Sequence, residues 1–147
     1  MVALVVAGVS IGISIAAAVF AGLQWREIRK STTVAVLIPF RSQYHSDRFK
    51  QFRHALYESR VDVEHLSAED RATLESLLDQ LEFIGALWRI DVVPLEVIKA
   101  TFPHSPLKCW PRVLPYIQQK TTDSPHYAEA YEQLVLRYNP NIQRVNR

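Results

Sequence analysis

The first 25 residues, Met1 to Trp25, carry no charged side chain, and the next five, Arg26-Glu27-Ile28-Arg29-Lys30, carry three cations. A helix over residues 2–23 rises about 33 Å at 1.5 Å per residue, against a hydrocarbon core about 30 Å thick. The pattern predicts one membrane crossing over residues 1–23, with Trp25, Arg26, Arg29 and Lys30 at the membrane surface. A cleaved secretory signal is the competing reading, since Ala16-Ala17-Ala18 and Ala18-Val19-Phe20-Ala21 offer small residues near a cleavage site. The absent cationic n-region and the long apolar run argue instead for an uncleaved anchor. Every Lys and Arg follows the span, so the positive-inside rule puts the N-terminus outside and the C-terminal domain in the cytoplasm, as a single-pass protein of the inner (plasma) membrane. The lipid bilayer is then an expected partner.

Within that run, Gly8, Gly12 and Ala16 form a row of small residues at one-turn spacing. Small residues let two membrane helices approach closely, so this face is the candidate for homo-oligomerisation through the span. Glycine and alanine are common in such helices, and a chance match competes with this reading.

Behind the anchor the chain reads as all-α. Residues 24–45 keep helical spacing and are expected to continue the span as a basic stalk, with Pro39 kinking or ending it. Residues 46–138 carry about five helical patterns. Ser46 and Asp47 open the first, with Phe49, Phe52 and Leu56 on one face. Ser67-Ala68-Glu69-Asp70 has capping-box spacing, and Leu74, Leu77, Leu78, Leu81, Ile84 and Trp88 form an apolar stripe behind it. Glu75, Asp79 and Glu82 fall on the solvent side of that helix. Pro94, Ser105-Pro106 and Ser124-Pro125 signal three further starts, although Pro111 and Pro115 suggest that the fourth pattern is kinked or begins at Pro111. Asn139-Pro140 closes the last helix, leaving residues 139–147 as a tail.

Charge is uneven along this part. Residues 24–60 hold eight Lys/Arg against three Asp/Glu, residues 61–100 three against nine, and residues 101–147 six against three. The chain as a whole carries only +2. No basic helix interleaved with aromatics stands out, so nucleic acid is not an expected partner.

Signs of chemistry are sparse. The single cysteine, Cys109, precludes an intrachain disulfide and lies beside Trp110 in an apolar pattern, where a thiol is usually an inert small hydrophobe. Its nearness in sequence to His104 fixes no geometry. The five histidines form no metal-ligand spacing, the four glycines no phosphate loop, and neither cofactor nor metal is expected.

Several stretches together carry a resemblance: Gln24-Trp25-Arg26-Glu27-Ile28-Arg29-Lys30, Ser46-Asp47-Arg48-Phe49 with Ala55-Leu56-Tyr57-Glu58, Leu81-Glu82-Phe83-Ile84-Gly85, and Trp110-Pro111. In this order they resemble a family of uncharacterised bacterial single-pass membrane proteins with an N-terminal anchor, a basic stalk and a cytosolic helical domain of unknown function. The resemblance implies topology and fold and transfers no catalytic residue. The resulting expectation is a membrane-anchored helical interaction module, acting as scaffold, sensor or regulatory subunit on a protein partner. Its rivals are an oligomeric membrane effector acting through the span, and an enzyme whose site is assembled from scattered residues such as His104, Cys109, Trp110 and Glu82.

Overall fold

The computed structural model describes the backbone of residues 2–146, and the side chains of these residues except 2–16, 26, 29 and 30. The described residues form six α-helices: α1 (Val2–Tyr44), α2 (Asp47–Tyr57), α3 (Ala68–Arg89), α4 (Leu95–Thr101), α5 (Ser105–Asp123) and α6 (Glu129–Tyr138). The chain divides into two compact units, residues 1–37 and residues 38–147.

Among the described residues no helix is long and apolar enough to cross a membrane. This finding corrects the expected transmembrane helix over residues 1–23. The single-pass topology, the inner-membrane location, the bilayer as partner and oligomerisation through a span all derived from that helix and are corrected with it. The earlier part of the run, Val2–Ala16, has its side chains outside the described residues.

α1 does not end at Pro39 but continues to Tyr44. A proline removes one i→i−4 hydrogen bond, freeing the carbonyl of Ala35, and Ala35 is exposed, so water can satisfy it. The last turns are held by aromatic packing. The Phe102 ring lies edge-on to Phe40 at 5.5 Å and to Tyr44 at 4.9 Å between centroids.

The second unit is built on α3. Ser67 accepts the Asp70 backbone N–H at 3.1 Å, the N-cap half of the expected capping box, and donates its hydroxyl to the Asp70 carboxylate at 2.8 Å, and the two bonds fix the helix start. Leu74, Leu77, Leu78, Leu81 and Ile84 are all buried. The main partner of α3 is α6, and the two approach closely at Gly85, where an added Cβ would stand 2.4 Å from the Ala130 carbonyl oxygen. The expected start of α6 at Ser124-Pro125 gives a turn instead. The helix begins only at Glu129, after Ala128 in the left-handed conformation at φ 56°. Its orphan N–H groups explain the role of Glu82, whose carboxylate crosses from α3 to accept Ala130 N–H at 3.0 Å and Tyr131 N–H at 2.8 Å. Glu82 therefore does not simply face solvent.

α5 is one helix through both internal prolines. Pro111 and Pro115 are four residues apart on the exposed face, and the carbonyls they leave unbonded belong to half-buried Leu107 and exposed Pro111, while Cys109, Trp110, Val113 and Ile117 fill the core. Residues beyond α6 return over α5 and α6. Trp110 Nε1–H donates to the Gln143 carbonyl at 2.8 Å, Val145 N–H donates to Glu132 at 2.7 Å, and the Val145 side chain is buried.

Candidate functional site

The C-terminal turn of α1 and the first turns of α2 meet in an elbow at His45 and Ser46. Ile38, Arg41, Ser42 and His45, from α1 and the elbow, together with Lys50 of α2, line an open cleft of about 480 Å³. Helical spacing puts residues 38, 41, 42 and 45 on one face, and the short connection folds Lys50 back beside them. Among the described residues no carboxylate lines this cleft. Lys50 pairs with Asp47 at 3.9 Å, between side chains 49% and 92% exposed, a contact that water screens heavily.

A second layer of charge lies behind the cleft. Arg53 is only 7% exposed, yet it carries a full positive charge. Its guanidinium donates to the Tyr44 carbonyl at the negative end of α1 and lies 3.9 Å from the Tyr44 ring centroid. Helix-end carbonyls and the aromatic face supply the counter-charge that a buried cation requires. The effect is felt at His45. Desolvation first, then Arg53, Arg41 and Lys50, hold its imidazole below the usual histidine range. The Phe102 ring stacks near it at 6.5 Å and the Tyr44 ring meets it edge-on at 5.8 Å.

The elbow is anchored to α5 through a partly buried polar knot. Tyr44 donates its hydroxyl to Ser105, and the Tyr57 and Ser105 hydroxyls are hydrogen-bonded at 2.6 Å. Cys109 donates its thiol to Tyr57 at 3.6 Å. Burial pushes the Cys109 thiol up to about 11 and also raises both tyrosines. A thiol so protonated at neutral pH, and fully buried, is a core group and not a nucleophile. The other scattered residues considered for chemistry are likewise accounted for: Trp110 holds the returning C-terminal segment, Glu82 caps α6, and His104 is exposed at the start of α5.

Of the residues singled out in the sequence, Gly8, Gly12 and Ala16 lie outside the described residues, as do the side chains of Arg26, Arg29 and Lys30. Trp25 is 64% exposed on α1. The cleft residues Arg41, His45 and Lys50, and Arg53 behind them, were not singled out. The only signal that points to them is the excess of cations in residues 24–60, because their convergence depends on the turn at the elbow.

One family model, described as Domain of unknown function (DUF4760), matches residues 8–138. No curated protein and no solved structure matches the chain.

Proposed function

Because the chain belongs to the DUF4760 family, a domain of unknown function that supplies no reaction to inherit, we propose from the geometry that it works as a helical contact module receiving an anionic group of a partner protein in the elbow cleft. The resemblance to single-pass membrane proteins plays no part in this reading, since no described helix can cross a membrane. The observation that carries it is the convergence of Arg41, Lys50 and His45 on an open cleft with no carboxylate in its lining. Arg53 adds to the same field from behind. Like charges brought together cost free energy in the unbound protein, and an incoming anion relieves that cost. Arg41 contributes a planar fork of donors, Lys50 a mobile point charge and Ser42 a hydroxyl, while Ile38 offers an apolar wall for the carbon atoms beside the charge. The knot of Tyr44, Tyr57 and Ser105 fixes the cleft's walls before any partner arrives, which limits the ordering cost of binding.

The test is titration of the isotopically labelled full chain with a glutamate-rich peptide. Amide shifts confined to residues around 38–50, diminished by added salt, support the reading. Saturating shifts centred elsewhere, or none at any peptide concentration, overturn it.

A further inference from the structure

We infer that the anion for which the elbow cleft is built is the phosphoryl group of a phosphorylated side chain on the partner protein. This rests on the preceding reading of the cleft as an anion receptor and narrows its ligand class.

The cleft is lined by two basic side chains, Arg41 and Lys50, the latter 3.9 Å from the exposed Asp47 carboxylate, and by the Ser42 hydroxyl and the His45 imidazole. A carboxylate has one negative charge and two oxygens. It satisfies one cation and leaves the other facing the same field from Arg53. A phosphomonoester carries nearly two negative charges at neutral pH and three terminal oxygens, matching both cations and leaving an oxygen for Ser42 or His45. The Arg41 fork suits two of those oxygens, and the cleft is open enough to be reached by a side chain of another protein.

His45 adds selectivity. The charged groups acting on it are Arg53 and Lys50 of α2 and Arg41 of α1, with Asp47 occupied at Lys50; its remaining neighbours are the Tyr44 and Phe102 rings. Desolvation first, and then these cations, hold the free imidazole below the usual histidine range. A dianion cancels more of that field than a monoanion does, so it favours proton uptake at His45 and gains a third positive partner. A carboxylate draws on this coupling less.

The experiment compares three ligands on the full chain: a phosphoserine peptide, the same peptide with glutamate in place of phosphoserine, and inorganic phosphate. Binding is followed by the chemical shifts of the Arg41, Ser42 and Lys50 amides and of the His45 ring. The phosphoserine peptide is expected to bind at least about tenfold tighter than the glutamate peptide, to bind tighter than inorganic phosphate, and to move the His45 ring toward its protonated shift. His45→Gln is expected to reduce the preference for phosphoserine over glutamate without abolishing binding of either, and Lys50→Gln to weaken both. Equal affinity for the two peptides overturns the phosphoryl assignment and leaves the anion-receptor reading standing. Inorganic phosphate binding as tightly as the phosphopeptide overturns the protein-borne source. Absence of binding by all three overturns both readings.

Discussion

Replacing Gly85 by alanine tests the packing on which the second unit rests. Alanine is the better helix former by about 1 kcal/mol, so local propensity alone favours the substitution. The tertiary structure opposes it. The new Cβ would stand 2.4 Å from the Ala130 carbonyl oxygen, 2.5 Å from its carbon and 2.8 Å from Tyr131 N. These are backbone atoms that no rotamer change can move aside, and ordinary contact requires α3 and α6 to separate by about 1 Å. Such overpacking costs ~1–3 kcal/mol by itself. The same displacement stretches both hydrogen bonds from α6 to Glu82, now 3.0 and 2.8 Å, beyond useful range. Hydrogen bonds to a charged group are worth ~1.5–3 kcal/mol each, and Glu82 is partly solvated, so partial loss adds about 1–2 kcal/mol. With the propensity gain subtracted, Gly85→Ala should destabilise the protein by about 1–4 kcal/mol and lower its thermal midpoint by roughly 4–15 °C. Urea and thermal unfolding followed by circular dichroism measure this. Gly22→Ala is the control, since no heavy atom lies within 4 Å of its new Cβ. A Gly85→Ala protein as stable as the parent would refute the close crossing of α3 and α6.

Three further expectations follow from the same coordinates. Glu82→Gln keeps the side-chain shape but removes the charge that serves two N–H groups of α6, and should cost about 1–2 kcal/mol in a urea melt. Cys109, fully buried, should resist alkylation until the protein unfolds; and because its folded pKa is raised to about 11, its contribution is complete below the unfolded thiol's ~8.5 and is lost as pH rises toward 11, so the unfolding midpoint should fall between pH 8 and 10 by less in Cys109→Ala than in the parent. Trp110→Phe deletes the donor to Gln143 at a cost of about 1 kcal/mol, and hydrogen exchange at the Val145 amide, which bonds Glu132, should accelerate.

Local and periodic features were legible in the sequence. The Ser67 cap and the leucine stripe through Leu74, Leu77 and Leu81 are written in spacing alone, and the structure places them at the start and on the buried face of α3. Features created by chain reversal were not legible. Glu82 has solvent-side spacing on its own helix, and only the arrival of α6 at Gly85 gives its carboxylate two N–H groups to cap. Pro111 and Pro115 read as breakers because each removes a helix hydrogen bond and crowds the carbonyl one turn back, whereas here both rings lie on the exposed face and α5 runs through them on its packed face. Residues 139–146 read as a tail because Trp110 and Glu132, which hold Gln143 and Val145, are distant in sequence. The charge-free N-terminal run dominates any topology drawn from the sequence, while the described helices contain no crossing. The elbow cleft was the least accessible feature, since Arg41, His45 and Lys50 are unremarkable singly and become a site only when the turn at Ser46 brings them together.

The central claim, that the elbow cleft receives an anionic partner by charge, is tested most directly by reversing the charge on both sides. In the double variant Arg41→Glu, Lys50→Glu, the fold should persist, because both side chains are exposed. Affinity is measured by fluorescence anisotropy for a glutamate-rich peptide and for its lysine-rich counterpart. The parent protein should prefer the acidic peptide and the reversed protein the basic one, each preference shrinking as salt is raised. If parent and reversed proteins bind the acidic peptide equally well, the cleft is not the contact surface and the account fails.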